Sequence, residues 1–329
     1  MAASAAVRLA RRAFHPRSAW RRSAKLDAHF SAIYGERWPA LREAMLGPSQ
    51  HVALLNPLRA SAARTIFTDD VHEFDMAARV FTTHEIIQIA GVSLVTSNEK
   101  LPQPAALDDG RPSHYNFDRA SVLPALALAP QPGHRVLDAC AAPGGKALAL
   151  AAQILHAGGE LIANDKSAKR RAGLERMLER YLGGADAAIR VTGADATRPD
   201  VAEWPSHFDR ILVDAPCSSE RHIMQAPRTP WTPSRLARDA DVQLRLLRAA
   251  ASRLARGGLL VYATCSLAPT ENDEVVDRLL AESVQKLELH DAMEAGHLAD
   301  AAAAPLRAGA ERTRRGAIVL PDAGGGAGP

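Results

Sequence analysis

The stretch RVLDACAAPGGK, residues 135–146, decides the fold that we expect. Residues 135–139 read as a short apolar strand, which runs into a turn of small residues and then into a helix from Lys146. Small residues after a strand let a ligand approach backbone N–H groups at the start of the next helix. The stretch therefore predicts a buried strand followed by a ligand-binding turn.

Strand and helix patterns alternate downstream of this stretch. The predicted strands are 160–165, 188–193, 209–216, 258–264 and 286–290. The predicted helices are 146–156, a segment that ends at Tyr181, 233–255 and 271–282. This alternation predicts an α/β fold with a doubly wound, mostly parallel Rossmann-like sheet.

Upstream residues predict a helical and mixed N-terminal extension. Residues 27–46 carry apolar side chains at helical spacing and predict one amphipathic helix. Residues 50–105 are mixed in pattern, with a strand predicted at 92–95, and residues 103–116 are turn-rich and predict a boundary loop. A helix predicted over 119–128 then leads into the first strand of the sheet.

The charge distribution gives little evidence for a nucleic-acid partner. The chain has 329 residues and a formal charge of +3, from 40 basic and 37 acidic side chains. Seven of the basic residues lie within residues 1–25, which leaves 33 basic against 37 acidic side chains in the remainder. A local basic patch or a partner protein would therefore have to supply RNA affinity.

The first 25 residues are rich in Ala, Arg and Ser, and the first acidic residue is Asp27. On a helix, Val7, Ala10 and Phe14 would lie on one face and arginines on another, which is typical of a mitochondrial presequence. The alternative is a disordered basic arm that contacts RNA phosphates. We expect a mitochondrial matrix location.

The cysteine count and the hydropathy pattern exclude two classes of protein. Three cysteines, at 140, 217 and 265, are too few and odd in number for a secreted disulfide scaffold, so we expect free thiols in a reducing compartment. No apolar run approaches the length of a bilayer crossing, so no membrane association is predicted. No metal site is predicted.

Acidic residues follow successive predicted strands, where ligands bind in open parallel sheets. These residues are Asp138, Asp165, Asp195 and Asp214. Asp165 lies where an acceptor for ribose hydroxyls would be. A glycine turn with a later acid also occurs in nicotinamide dinucleotide sites, but that fingerprint needs three spaced glycines. A helix-starting turn without a ligand is the other interpretation of the turn alone.

Cys217 and Cys265 follow the fourth and fifth predicted strands of the sheet. If those strands are neighbours, about 5 Å apart, both thiols can face one pocket. A single cysteine is usually a small buried apolar residue. Three cysteines at strand ends around one cleft favour a chemical role instead.

Three motifs resemble those of the Nol/Nop/Sun family of RNA 5-methylcytosine methyltransferases. They are DACAAPGGK (138–146), DAPCS (214–218) and TCS followed by PTENDEVV (264–276). The resemblance covers residues 115–282. Upstream, YGERWPALREAML and the helix from Phe117 to Leu128 are similar to the mitochondrial ribosomal-RNA branch of the family.

The resemblance implies S-adenosylmethionine as cofactor and assigns roles to residues. The implied cofactor-binding residues are Ala142, Pro143, Gly144, Gly145, Lys146, Asp165, Arg170, Asp195 and Asp214. Arg170 lies in the charged run KSAKRRAGLER, so a merely solvated helix face is the alternative for it.

The implied catalytic residues are Cys265, Cys217 and Asp214. Carbon 5 of cytosine is a poor nucleophile until a group adds to carbon 6, which a thiolate does well. The resemblance assigns this addition to Cys265 and the release step to Cys217, and Asp214 would hydrogen-bond the base.

Structured RNA, ribosomal RNA above all, is the expected partner, with a protein partner that assists RNA binding. The expected segments are 1–25, the presequence or arm; 26–114, an accessory region that contacts RNA; 115–322, the methyltransferase domain; and 323–329, a mobile tail. The rival functions are a transfer-RNA methyltransferase, a silent RNA-assembly factor and a DNA cytosine methyltransferase. A DNA enzyme would use the Pro-Cys cysteine as nucleophile and would not explain Cys265.

The end of the sequence differs from the family pattern. It stops at Gly328–Pro329, just before the family's last apolar strand, which inserts beside the fifth. Without that strand, the fifth strand, which leads to Cys265, would have an unpaired edge. Either the chain is an incomplete version of a longer protein or another segment covers this edge, and we expect the first.

Overall fold

The computed structural model describes residues 16–68, 85–97, 100–183, 188–225, 231–284 and 286–322. Its first elements are helices α1 (Pro16–Tyr34) and α2 (Trp38–Leu46), with a 3-10 turn at Gly35–Arg37 between them. The prediction of one helix over 27–46 is therefore wrong. Gly35 adopts a φ of +55°, which is left-handed and ends α1. Residues 16–25 belong to α1, and residues 1–15 of the presequence prediction lie outside the described residues.

A four-stranded antiparallel sheet follows. Its strands are β1 (His51–Leu55), β2 (Glu85–Ile89), β3 (Val92–Thr96) and β4 (His114–Asp118), and α3 (Ala60–Thr68) lies between β1 and β2. The strand order is β2-β3-β1-β4. Strand β3 confirms the strand predicted at 92–95. The boundary loop predicted to 116 ends at residue 113, because residues 114–118 pair with all of β1.

The second sheet has five parallel strands and confirms the predicted doubly wound fold. After a 3-10 turn at Arg119–Val122, its elements are α4 (Leu123–Leu128), β5 (Arg135–Asp138), α5 (Gly145–Ala157), β6 (Glu160–Asn164), α6 (Ala168–Leu182), β7 (Ile189–Thr192), β8 (Phe208–Asp214), α7 (Glu220–Gln225), α8 (Pro233–Ser252), β9 (Leu254–Ala263) and α9 (Asp273–Glu282). The strand order is β7-β6-β5-β8-β9. The order therefore reverses beside β5, between β5 and β8, where such sheets bind ligands.

Two hydrophobic layers cover the parallel sheet. On one face, Val136 and Leu212 pack with apolar residues of α4, α5 and α6, and this core continues into the antiparallel sheet. On the other face, Leu137 and Ile211 pack with apolar residues of α8 and α9. Alternate residues of each strand thus enter opposite cores, as a sheet buried on both faces requires.

The C-terminal part departs from one prediction and agrees with another. Residues 286–290 are not a strand: Leu287 packs at the edge of the second core, whereas Leu289 is exposed, and none of the described strands pairs with this segment. The alternation of apolar residues there arises because one side of this irregular segment packs against the second core. The expected open edge is present among the described strands, since β9 pairs only with β8.

A short antiparallel hairpin closes the described chain, with β10 (Ala310–Arg312) paired to β11 (Ala317–Val319). The predicted tail 323–329 lies outside the described residues. Within the described ranges, no helix has both the length and the apolar character that a membrane crossing requires. The same ranges contain no cluster of three or more side chains that could hold a metal ion.

Candidate active site

The turn after β5 is built from glycines for steric reasons. Gly144 has a φ of +119°, and a Cβ at this position would overlap Cε of Met177. A Cβ on Gly145, the first residue of α5, would lie 2.9 Å from ring atoms of both Tyr115 and Phe117. The turn therefore keeps the backbone at the N-terminus of α5 free of side chains, where unpaired N–H groups can bind a ligand.

Asn164, at the end of β6, joins three turns of this cleft. Its amide nitrogen donates to the carbonyls of Ala139 at 3.0 Å and Ala194 at 3.1 Å. Its amide oxygen accepts from Thr192 Oγ1 at 2.9 Å and from the backbone of Ala194 at 2.8 Å. Asn164 is fully buried, and it fixes the loops after β5, β6 and β7 against each other.

Asp138 and Asp214 end the two strands at the centre of the sheet. Lys146 Nζ donates to Asp214 Oδ2 at 2.8 Å, whereas Asp138 is fully buried, no described side chain donates a hydrogen bond to its carboxylate, and the contact with the Cys140 backbone offsets burial only in part. Burial, and then Asp214, raise the pKa of Asp138 to about 7. Burial alone would lower the pKa of Lys146, but Asp214 and Asp138 outweigh it and raise that pKa.

Asp165 and Arg170 lie together beside the glycine turn. Asp165 Oδ1 accepts a hydrogen bond from Ser167 N at 2.9 Å. Its Oδ2 is buried, makes no hydrogen bond to a described residue and lies 3.4 Å from a guanidinium nitrogen of Arg170. Arg170 also donates to the Ala142 carbonyl. Arg170 is therefore not merely a solvated helix residue, because it links α6 to the turn.

Asp195 already has strong partners. Its Oδ1 accepts from the backbone of Thr197 at 3.2 Å and from Thr197 Oγ1 at 2.8 Å, and its Oδ2 lies 2.5 Å from Lys166 Nζ. The hydrogen bond with Lys166, and then that with Thr197, lower the pKa of Asp195 to about 2. Asp195 is thus a fixed anion at the rim of the cleft.

Cys217 and Cys265 are brought together beyond the ends of β8 and β9. The Cys265 backbone N–H donates to Cys217 Sγ over 3.3 Å. The Ser219 hydroxyl lies 3.0 Å from Cys265 Sγ and 3.5 Å from Cys217 Sγ. Cys265 is exposed and Cys217 is half-buried. Both sulfurs therefore face the same space, and neither points into an apolar core.

The environment separates the three thiols electrostatically. The hydrogen bond from Cys217, and then that from Ser219, lower the pKa of the Cys265 thiol, although burial and Asp214 oppose this shift. The interaction with Cys265, and then burial, raise the pKa of Cys217. Burial also raises the pKa of Cys140. Since the thiolate is the reactive form of cysteine, these surroundings favour reactivity at Cys265 over Cys217 and Cys140.

Two fully buried glutamates hold the cysteine loops from below. Glu271 accepts hydrogen bonds from Ser218 N at 3.0 Å, Gln243 Nε2 at 2.8 Å and Ser266 Oγ at 3.0 Å. Glu220 accepts from the Ser218 hydroxyl and from Leu267 N, the latter at 3.2 Å. Burial raises the pKa of Glu220. The network binds the Pro-Cys loop to the TCS loop.

The N-terminal helices support the same loop from outside. Tyr34 OH donates to the Leu267 carbonyl at 2.8 Å, two residues after Cys265. Leu267 and Ala268 also pack in the apolar cluster that α1 and α2 form with Trp231. The extension upstream of the sheet is therefore part of the scaffold of the loop that carries Cys265.

The structure brings the predicted site residues together at the strand ends, and it adds supporting residues that the sequence reasoning missed. Asn164, Ser219, Glu220 and Glu271 were not among the predicted residues. Asn164 directly precedes Asp165, and Glu271 lies within PTENDEVV, so their positions near the motifs were the available signal. Because glutamates are normally exposed, the burial of Glu220 and Glu271 could not be expected from their residue type.

The fold and the cleft define the chain as a Rossmann-like methyltransferase, and the cleft fits S-adenosylmethionine. Buried carboxylate oxygens of Asp138 and Asp165 that accept no hydrogen bond from a described side chain lie beside a turn in which added Cβ atoms would clash. Acceptors of this kind suit the ammonium, sulfonium and ribose groups of that cofactor.

Residues 125–308 match the model of the family described as 16S rRNA methyltransferase RsmB/F. This match spans more than half of the chain, and the chain belongs to that family. It is an S-adenosylmethionine-dependent RNA cytosine-5 methyltransferase.

Relatives with assigned names agree with this membership. The chain is 30% identical over 275 residues to the 5-cytosine rRNA methyltransferase NSUN4 of Mus musculus. The aligned region covers 76% of this chain and 71% of that protein. The chain is also 30% identical over 270 residues to the mitochondrial tRNA (cytosine(34)-C(5))-methyltransferase of Mus musculus, covering 78% and 74%. A methyltransferase homologue from Pyrococcus horikoshii has the same fold, with a TM-score of 0.63, 24% identity, and coverage of 90% of this chain and 89% of that chain.

Proposed function

We propose that this enzyme methylates carbon 5 of a cytosine in mitochondrial ribosomal RNA through a covalent adduct with Cys265. The observation that carries the proposal is the thiol pair: Cys265 is exposed and has a lowered pKa, and its backbone N–H contacts the sulfur of Cys217. Two thiols in one space suit a reaction in which one adds to the base and the other assists its release.

The side chains around the thiols can divide the steps. The Cys265 thiolate forms a bond to carbon 6 of cytosine, and the electron pair of the carbon 5–carbon 6 bond becomes available at carbon 5. Asp214 is oriented by Lys146, so that a carboxylate oxygen can accept a hydrogen bond from the exocyclic amine of the base. S-adenosylmethionine supplies the electrophilic methyl group when it is bound.

After methylation, the proton on carbon 5 must leave and the bond from carbon 6 to Cys265 must break. Cys217 is the group that we assign to this release, because its sulfur contacts the Cys265 backbone. The Cys265 thiolate is the main cause of the raised pKa of Cys217 and is consumed in the adduct, so Cys217 can then lose its own proton to solvent. As a thiolate it accepts the carbon 5 proton, the carbon 5–carbon 6 double bond re-forms, and Cys265 leaves carbon 6 as a thiolate. The cofactor would bind along the glycine turn, with Ala142, Pro143, Gly144 and Gly145 at its methionine end. Asp165, Arg170 and Asp195 would line the ribose and adenine end.

Replacement of each thiol tests the proposal. Cys265→Ala should abolish methyl transfer, whereas Cys217→Ala should form a stable protein–RNA adduct that survives a denaturing gel. The double variant is the control, since an adduct through Cys265 must vanish in it. A stable adduct with Cys265→Ala and none with Cys217→Ala would reverse the two roles.

Ribosomal RNA is our choice of substrate because NSUN4 proteins recur among the relatives, and several of them are 30% or more identical to this chain. A transfer RNA is the alternative substrate, since the mitochondrial tRNA (cytosine(34)-C(5))-methyltransferase of Mus musculus is also 30% identical to this chain. Bisulfite sequencing of organellar ribosomal and transfer RNA, with and without the protein, separates the two. Loss of 5-methylcytosine from a transfer RNA alone would overturn our choice.

We also propose that RNA binding depends on the accessory region 26–114 and on a protein partner, because residues beyond the basic first 25 carry more acidic than basic side chains. Mitochondrial import through residues 1–25 completes the proposal. A fluorescent reporter fused to residues 1–30 should enter mitochondria, and a diffuse cytosolic signal would contradict it.

A further inference from the structure

We propose that Ser219 is a further catalytic residue, whose hydroxyl donates a hydrogen bond to the thiolate of Cys265 and joins the two thiols into one unit. The inference deepens the proposed function and rests on its assignment of Cys265 as nucleophile. It concerns a side chain to which neither the motifs nor the family assignment gave a role.

The distances single out this hydroxyl. Ser219 Oγ lies 3.0 Å from Cys265 Sγ, which is close for a contact between oxygen and sulfur, and 3.5 Å from Cys217 Sγ. A hydroxyl has one proton to donate and can also accept. It can therefore donate to Cys265 and accept from the Cys217 thiol, which leaves the negative charge on Cys265.

The backbone of Ser219 indicates that the position is held for this contact. Its φ is +52°, in the left-handed region, where a side chain other than glycine is uncommon and strained. The next residue, Glu220, begins α7 and is fixed by hydrogen bonds to Ser218 and Leu267. The loop therefore imposes a conformation that favours glycine, yet the chain carries a serine whose hydroxyl reaches both sulfurs.

The surrounding charges make such a donor useful. Asp214 and Glu220 both oppose formation of a thiolate at Cys265, and Lys146, the cation nearby, is already paired with Asp214. Cys217 and Ser219 are the groups whose hydrogen bonds lower the pKa of Cys265. Ser219 is the stronger hydrogen-bond donor of the two, because a hydroxyl donates more strongly than a thiol.

Two substitutions separate the chemical role of the hydroxyl from the strain of the backbone. Ser219→Ala and Ser219→Gly both remove the hydroxyl, but only glycine relaxes at a φ of +52°. The measurement is the pH dependence of iodoacetamide alkylation of the cofactor-free and RNA-free protein. After trypsin digestion, Cys265 is followed in peptide 257–278 and Cys217 in peptide 211–221, so mass spectrometry reads each thiol separately.

Both variants should raise the alkylation midpoint of Cys265 by about one pH unit, as loss of one hydrogen bond to an ion predicts. The pH–rate profile of methyl transfer should move to alkaline pH by a similar amount. Thermal stability should be unchanged in Ser219→Ala and equal or higher in Ser219→Gly. The midpoint is compared rather than the rate, because thiolate reactivity itself changes with pKa.

An unchanged Cys265 midpoint in both variants would overturn the inference. A shift in Ser219→Ala that is absent in Ser219→Gly would also overturn it, because backbone conformation would then be the cause. The alkylation assay needs no RNA, so it remains decisive even if Cys265→Ala turns out to retain methyl transfer. In that case the proposed function fails, while the measured thiol shift still reports the hydrogen bond.

Discussion

Replacing Asp138 by asparagine should stabilise the cofactor-free enzyme at neutral and alkaline pH. Asp138 is fully buried, accepts no hydrogen bond from a described side chain, and has a pKa raised to about 7. Below the pKa of Asp138 in the unfolded chain, near 3.8, the carboxyl group is protonated in both states, so its burial carries no ionisation penalty. The folded state then loses stability as pH rises from that value through the folded pKa.

The size of the effect follows from the two pKa values. Each unit of difference corresponds to about 1.4 kcal/mol, so ionised Asp138 destabilises the fold by about 4 kcal/mol above neutral pH. At about pH 5.5 the penalty is only about 2 kcal/mol, because the folded carboxyl is still protonated there. Asparagine has a similar shape and no titrating proton. The stability gap between variant and wild type should therefore widen by about 2 kcal/mol from pH 5.5 to pH 8.

Urea unfolding over this pH range measures the gap directly. The change of the gap with pH is the quantity of interest, since any constant cost of burying the asparagine amide cancels. Saturating S-adenosylmethionine should reverse the order of stability, because its positive groups bring a partner for Asp138 that asparagine cannot use.

Asp195→Asn is the matched control in the same cleft. The pKa of Asp195 is lowered to about 2, so its contribution is present above its unfolded pKa and is lost only as the pH falls toward the folded value. Its variant should be less stable than wild type by an amount that stays constant between pH 5.5 and 8. A gap for Asp138→Asn that is equally flat would refute the reasoning, because Asp138 would then keep one protonation state throughout.

Two further substitutions test the scaffold. Glu271→Ala should lower the free energy of unfolding in urea by about 3–5 kcal/mol and reduce methyl transfer, because it leaves buried donors without their acceptor. The control is Glu294→Ala at an exposed position, which should change stability by less than about 0.5 kcal/mol. Equal effects of the two would contradict the buried network. Gly144→Ala should cost about 2–3 kcal/mol and weaken cofactor binding in calorimetry, since the new Cβ must displace Met177. Gly35 also has a positive φ, but a Cβ there would meet open space, so Gly35→Ala should cost only about 1 kcal/mol, from backbone strain alone. A similar cost at both positions would show that the contact with Met177 contributes nothing at Gly144.

The parallel sheet could be predicted because each strand has a short apolar pattern and each turn has a small or acidic residue. The chemistry of the strand ends followed from the same rule, which placed Asp138, Asp214, Cys217 and Cys265 around one cleft before any distance was known. The same rule could not predict how the side chains are oriented. That the Lys146 side chain pairs with Asp214, and that Arg170 reaches the turn, depends on rotamers that no periodicity encodes.

The antiparallel sheet was harder to predict for a physical reason. Of its four strands, only β3 was predicted, because β1 is buried at four successive positions and does not alternate, while β4 carries polar His114 and Asn116. His114 is buried by contacts from far along the chain, including the hydrogen bond from Tyr181 OH to its carbonyl. Such long-range pairing overrides local propensity. Residues 286–290 show the converse, since their alternation lacks a partner strand.

The buried acids divide the active site into two halves with different states of completion. Glu220 and Glu271, under the thiols, accept hydrogen bonds from loop donors and need no ligand to satisfy them. Asp138 and Asp165, beside the glycine turn, each keep a buried oxygen without a hydrogen bond from a described residue. An acid buried in this way costs free energy until a ligand supplies the donor. The thiol half is therefore arranged before any ligand binds, whereas we propose that the half beside the glycine turn gains hydrogen-bond donors when the cofactor binds. S-adenosylmethionine should consequently protect the amides of the 138–146 turn from hydrogen exchange more than those of the 264–268 loop.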